Sequence, residues 1–184
     1  MPEGPEIRRA ADRVAKVLVG RSVVDVTFGL PALKKFERRL AGHTVTGVDT
    51  RGKAMLTRFD NELTIYSHNQ LYGRWYTVRR AELPDTGRQL RLALHTVTRS
   101  ALLYSASDIS VLTPAQLRKH PFLRKIGPDI LDSSLTPAAI VERLGEKRFR
   151  RRALGSLCLL YTSPSPRDRT HHLVCRLLLE KGGG

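Results

Sequence analysis

The stretch QLRLALHTV, residues 89–97, decides the fold class. Leu90, Leu92 and Leu94 occupy every second position, with Gln89, Arg91 and Ala93 between them. A period of two is the pattern of a strand with one face on a core. Working outward, similar short runs recur at 22–28, 43–50, 54–59, 63–68, 74–78 and 101–104, separated by turn residues. So many short strands at close spacing predict a sandwich or a barrel.

The period changes only at the flanks. Upstream, Ile7, Ala11, Val14 and Leu18 recur at steps of four, three and four, which predicts a helix over 4–19 ended by Gly20. Its other face carries Arg8, Arg9, Asp12, Arg13 and Lys16. Residues 33–40 read as a short helix. After Asp108 the pattern reads as helical. Thr113-Pro114 and Thr136-Pro137 each place an N-cap residue before a first-position proline, predicting helices at 114–120 and 137–144. Between them HPFLRKIGPDIL, residues 120–131, reads as a Gly-Pro turn region, and a third helix is expected near Phe149. The fold class is therefore α+β: an N-terminal helix and β domain over 1–112, then a helical part over 113–157.

Charge narrows the partner. With 32 Lys and Arg against 17 Asp and Glu, the formal net charge is +15. A compact chain so charged repels itself unless it faces a polyanion, so nucleic acid leads. An anionic membrane surface competes, but no apolar run approaches the ~18–20 residues of a spanning helix. The start, MPEGPEIRRA, lacks the basic-then-apolar order of a secretory signal, so a cytoplasmic protein is expected. The 11 aromatic residues (one Trp, five Tyr, five Phe) are too few for a surface built on base stacking. Phosphate contacts should dominate affinity.

Residues 158–184 differ in character. CLLYTSPSPRD at 158–168 and HLVCRLLLEK at 172–181 resemble in-frame translations of the two ends of a transposase-based sequencing adapter, and Gly182, Gly183 and Gly184 resemble a terminal run of G calls. This stretch is expected not to belong to the fold. A genuine helix over 173–180 behind a Ser-Pro linker is the alternative. The two cysteines, Cys158 and Cys175, lie only here, so residues 1–157 offer no disulfide and no thiolate zinc site. Without this stretch the count is 28 basic less 15 acidic residues, or +13, so the basic signal persists.

The chemistry-bearing residues crowd the N-terminus. Methionine before a small residue is readily removed, which would expose the secondary amine of Pro2. An α-amine has a pKa of roughly 7.7–8, so it needs little tuning to attack an electrophilic sugar carbon. Expulsion of a base there leaves an iminium that acidifies the neighbouring C–H and permits strand cleavage by elimination. Glu3 and Glu6 bracket the amine as acid–base partners, with Glu6 three residues on along the opening helical turn. The plainer reading is that Pro and Glu are ordinary residues of a helix start.

MPEGPEI at 1–7, RGKAML at 51–56, YSHNQLYG at 66–73 and HPFLRKIGPDIL at 120–131 together resemble the formamidopyrimidine-DNA glycosylase/endonuclease VIII family, in its bacterial endonuclease VIII branch. Gly4 and the QLYG motif favour that branch. The resemblance runs from Met1 to about Leu157. It implies a two-layered β-sandwich followed by an incomplete helix-two-turn-helix domain. It also implies a bifunctional glycosylase/lyase acting on oxidised pyrimidines in double-stranded damaged DNA, with no membrane partner and a monomeric state.

The resemblance implies roles residue by residue. Pro2 would be the Schiff-base nucleophile, Glu3 the proton donor and Glu6 a supporting carboxylate. Lys53 would donate a proton during β-elimination, although a hairpin lysine is ordinarily just solvated. Gln70, Leu71 and Tyr72 would enter the duplex and fill the gap left by an everted nucleotide. As bare sequence they read as a strand end packed on a core. Lys125 falls where a phosphate-contacting Arg stands in close relatives, supplying charge without a bidentate fork. Arg148, Arg150, Arg151 and Arg152 would meet phosphates.

The second half of the helix-two-turn-helix and the four-cysteine zinc finger found in full-length members have no counterpart in the sequence. No metal ligands and no cofactor are expected in this chain, and weak or no activity on duplex DNA is expected of it. A basic DNA-binding fragment without activity is the rival reading.

Overall fold

The computed structural model describes residues 4–126 and 136–145. Pro2, Glu3, the helix expected near Phe149, the arginines at 148–152 and the stretch from Cys158 lie outside the described residues. Two compact units divide the chain, Met1–His120 and Pro121–Gly184.

Helix α1 (Gly4–Leu18) forms where the apolar stripe predicts, and Ile7, Ala10, Ala11, Val14, Val17 and Leu18 are buried along it. Its last carbonyls are satisfied from outside the helix. The Arg21 guanidinium donates to the carbonyls of Lys16 and Val17, both at 2.6 Å. Gly20 then turns the chain at φ 74°, in the left-handed region, and its N–H donates to the Val45 carbonyl at 2.9 Å. The helix end is thereby stitched to the first strand of one sheet.

Among the described residues eight strands follow, all paired antiparallel. One sheet has the order β1-β6-β7-β5, from β1 (Asp25–Phe28), β5 (Arg74–Arg79), β6 (Leu90–His95) and β7 (Arg99–Tyr104). The other has the order β2-β3-β4-β8, from β2 (Val45–Arg51), β3 (Ala54–Phe59), β4 (Thr64–His68) and β8 (Asp108–Leu112). A 3-10 turn (Pro31–Phe36) runs into a single turn of α2 (Glu37–Leu40). The Glu37 carboxylate there accepts from the Phe28 N–H at 2.7 Å.

Both sheets and α1 contribute to one core, including Val14, Phe28, Leu92, Leu94 and Leu103 with Val45, Met55, Ile65 and Val111. Two separate sheets across a shared core make this a sandwich and not a barrel.

The opening stretch behaves differently from its alternation. Leu92 and Leu94 face the shared core, but Ala93 is buried too, in a second cluster with Leu102 and Tyr104, against which Leu90 packs. Leu90 thus lies on the face opposite Leu92. The cause is a bulge. Leu90 pairs with Tyr104 and Leu92 with Leu103, so Arg91 is the extra residue and the two-residue period slips by one. Gly29 meets this bulge, its N–H donating to the Arg91 carbonyl at 2.9 Å.

A second difference concerns residues 108–112, which lie within the β domain expected over 1–112 but where no strand was expected, the pattern after Asp108 reading as helical. They form β8, paired with β4, and Ile109 and Val111 are buried while Asp108, Ser110 and Leu112 are half-buried. The run has a period of two, but it is only five residues long and abuts a helix cap. Its pairing with a strand some 40 residues earlier is not a local property. Helix α3 (Pro114–Lys119) follows at once, so the first unit extends to His120.

Thr113 closes a capping box on α3. Its hydroxyl accepts from the Gln116 N–H, and the Gln116 side chain accepts from the Thr113 N–H at 2.9 Å. Thr113→Ala is expected to lower stability by about 1 kcal/mol, read as a shift in the urea midpoint at constant slope.

In the second unit, residues 121–125 form a short helix, α4 (Pro121–Lys125), where a turn region was expected, and α5 (Pro137–Leu144) starts as predicted. The Thr136 hydroxyl accepts from the Ala139 N–H at 3.3 Å. Among the described residues no helix is long and apolar enough to cross a membrane.

Candidate active site and nucleic-acid interface

The β2–β3 turn sets the first functional side chain. Gly52 adopts φ 59°, which a Cβ would strain, and Lys53 follows it at the mouth of β3. Lys53 is not the solvated hairpin lysine of its bare sequence: it is 4% exposed, and its Nζ has no hydrogen-bond partner among the described residues. Buried amines are ordinarily paired, because desolvation is otherwise uncompensated. An unpaired one points to a ligand.

Register places further groups beside it. Ala54 pairs with His68 at the end of β4, and His68 pairs with Asp108 at the start of β8. Lys53, His68 and Asp108 therefore succeed one another along one end of one sheet. Burial pushes the His68 pKa down, aided by the Lys53 charge and opposed by Asp108. Two residues back, Tyr66 is fully buried and donates its hydroxyl to Asp108 Oδ2 at 3.4 Å. Burial raises its pKa, and the Asp108 charge adds to the effect. The Tyr66 ring also lies against that of His120, with centroids 4.2 Å apart.

From His68 the chain leaves for β5 in the other sheet through residues 69–73. Gln70 takes φ 51°, and its N–H donates to His68 Nδ1 at 3.1 Å. The Gly73 N–H returns to the Asn69 carbonyl at 2.7 Å. A Cβ on Gly73 would sit 2.5 Å from that oxygen, so only glycine closes this loop. The closure turns Leu71 and Tyr72 outward, 57% and 69% exposed. The reading of this motif as a strand end packed on a core is thereby set aside.

His68 has a consequence for stability. Its Nδ1 accepts a hydrogen bond, so the folded chain holds this ring neutral, and its folded pKa lies below the ordinary 6.5. Stability from the neutral ring is complete above pH 6.5 and is lost as pH falls from there through the lower folded pKa. His95, also depressed by burial, acts in the same direction. Urea midpoints measured from pH 7.5 down to about 5 should decline, and His68→Gln should flatten part of that slope.

Glu6 stands exposed in the first turn of α1. Lys125 ends α4, and its side chain lies outside the described residues. Sequence reading passed over His68, Asp108, Ser107 and Arg88. The signal that could have found the first was a Tyr and a His two apart within a strand, a polar pair sharing one face.

Residues 1–108 match the model of the formamidopyrimidine-DNA glycosylase N-terminal domain. The chain belongs to the formamidopyrimidine-DNA glycosylase family. Endonuclease 8 of Escherichia coli O1:K1 / APEC and that of Escherichia coli strain K12 / DH10B are each 55% identical to it over 159 residues, 86% of this chain and 60% of theirs. The chain thus spans about three fifths of the length of these curated relatives.

The fold agrees. Lactococcus lactis formamidopyrimidine-DNA glycosylase, solved non-covalently bound to DNA containing an AP site, superposes with a TM-score of 0.67 at 17% identity, covering 88% of this chain and 62% of that one. A second formamidopyrimidine-DNA glycosylase, solved with DNA containing carbocyclic 8-oxo-G, gives 0.66 at 17%, with the same coverage of both chains. Three of the four motifs that resemble the formamidopyrimidine-DNA glycosylase family, at 1–7, 51–56 and 66–73, fall inside the matched domain.

Proposed function

We propose that this chain is a bifunctional DNA glycosylase/AP lyase of base excision repair, acting on oxidised pyrimidines in duplex DNA through a Pro2 Schiff base and β,δ-elimination. The observation that carries the reading is the buried Lys53 amine, without a hydrogen-bond partner among the described residues, at the same sheet end as the outward-facing Leu71 and Tyr72. A phosphodiester backbone would supply the anion that Lys53 lacks, and the exposed pair offers apolar surface to replace lost base stacking.

Helix geometry supports bringing the N-terminus to this place. The 15 residues of α1 and the 7 of β2 both span about 22 Å, and the helix is tied at its C-terminal end to the start of β2. A helix lying along that strand carries its first turn, with Glu6, toward the β2–β3 turn and Lys53.

In the proposed reaction the Pro2 nitrogen forms a bond to the sugar C1′ as the base departs with the glycosidic electron pair, and Glu3 supplies a proton to the departing base or the opened ring oxygen. The nitrogen then loses its proton, and its lone pair breaks the C1′–O4′ bond to open the sugar as an iminium, which draws electrons from C2′; C2′ loses a proton as the 3′ phosphate leaves. A second elimination frees the 5′ phosphate. Lys53 supplies a proton during the first elimination. Among the described residues there is no group of three or more His, Cys, Asp and Glu placed to hold a metal.

Borohydride reduction in the presence of an abasic-site oligonucleotide is the test. Chain with Met1 removed, verified by mass spectrometry, should be trapped as a covalent adduct, in low yield on duplex DNA in keeping with the weak activity expected from the sequence, whereas chain retaining Met1 should not. A processed chain that binds the oligonucleotide yet forms no adduct would leave only the DNA-binding reading.

A further inference from the structure

Loop 69–73 closes through its own hydrogen bond from the Gly73 N–H to the Asn69 carbonyl and leaves Leu71 and Tyr72 in solvent. Ordering such groups on binding opposes association, whereas a loop ordered in advance avoids that opposition. Here both flanks of the exposed pair are tied to segments distant in sequence. Ser107, in the turn between β7 and β8, donates its hydroxyl to Gln70 Oε1 at 2.7 Å. Arg88, just before β6, donates Nη1 to the Tyr72 carbonyl at 2.6 Å.

The two tying segments are themselves joined, because the Ser105 N–H donates to the Gln89 carbonyl at 2.8 Å. Ser105 holds φ 53° to do so. Arg88 and Ser107 are both exposed and add nothing to the sandwich core, and Arg88 has no ion pair among the described residues. Their side-chain hydrogen bonds go to the loop.

We infer that Arg88 and Ser107 are positioning residues, which hold Leu71 and Tyr72 in the inserting orientation before DNA arrives. The inference rests on the proposed insertion of this loop into the duplex. Each tie is a single net hydrogen bond, worth about 2- to 10-fold in the equilibrium that it biases.

Amide hydrogen exchange of the full chain tests the tie directly. Arg88→Gln and Ser107→Ala should speed exchange across 69–73 by about 2- to 10-fold while leaving β6 and β7 unchanged, and Arg88→Lys and Ser107→Thr should restore much of the protection. Unchanged exchange across 69–73 would overturn the inference.

Its functional half is read from affinity for a duplex carrying a tetrahydrofuran abasic analogue, compared with the same strand alone. Arg88→Gln and Ser107→Ala should weaken the duplex selectively and have no further effect in a Leu71→Ala/Tyr72→Ala background. Equal losses on duplex and single strand would reduce both residues to general DNA contacts and overturn the inference. If Leu71→Ala/Tyr72→Ala itself left duplex preference intact, the insertion reading would fail, whatever the exchange result.

Discussion

Lys53→Met is expected to stabilise the first unit while disabling the proposed elimination. The side chain is 4% exposed and its amine has no hydrogen-bond partner among the described residues, so little is set against its removal from water there. Methionine keeps the apolar stem and discards the polar end. The gain should be about 1–3 kcal/mol, the usual cost of leaving a buried polar group unsatisfied. Strand cleavage by elimination should fall by about 10²- to 10⁴-fold, the contribution typical of one positioned proton donor. Borohydride trapping at a pre-formed abasic site should survive, since in the proposed mechanism the Pro2 amine makes that bond.

A third readout ties the effect to place. The Lys53 charge helps to hold the His68 pKa down, so His68 should titrate higher in the variant, as followed by NMR. A variant less stable than the parent, or one that cleaves at the parental rate, would count against the assignment. Stability withheld at a functional position is a common trade in enzymes, and the role proposed for Lys53 would be an instance of it.

Gly29→Ala is expected to cost about 2–3 kcal/mol, from steric conflict and not from backbone conformation. An added Cβ would lie 2.2 Å from the Leu90 carbonyl oxygen and 3.2 Å from Arg91 Cα, both backbone atoms that cannot swing aside. The end of β1 would have to separate from the bulge of β6, breaking the hydrogen bond from the Gly29 N–H to the Arg91 carbonyl. Gly87→Ala, where a Cβ meets nothing within 4 Å, is the control and should stay within about 0.5 kcal/mol. Chemical denaturation of the two variants measures the difference. Equal midpoints would show that the contact at Gly29 relaxes freely.

The candidate site is partly legible in the amino-acid sequence. Gln70, Leu71 and Tyr72 stand out through the motif that contains them, and the exposure of Leu71 and Tyr72 suits the role proposed. The hydrogen bonds that brace them are not legible there, because Ser107 is 37 residues from Gln70 and Arg88 is 16 from Tyr72. No short window on the sequence contains both partners. Lys53 stands out through its motif, yet its residue type and turn position suggest solvent. Its 4% exposure is a property of the folded chain that no short window of sequence shows.

The sequence by itself determined what is periodic or local. The stripe of α1 follows from Ile7, Ala11, Val14 and Leu18, and the start of α3 from the Thr113 cap, because helix faces and caps are made by residues within four positions of each other. It also determined that strands dominate up to Tyr104. Tertiary structure alone decided that 108–112 would join β4, that a bulge at Arg91 would send Leu90 to the other face, and that Lys53, His68 and Asp108 would stand side by side. The physical reason is common to all three: strand pairing and register are set by partners far along the chain, and a slip of one residue exchanges the two faces.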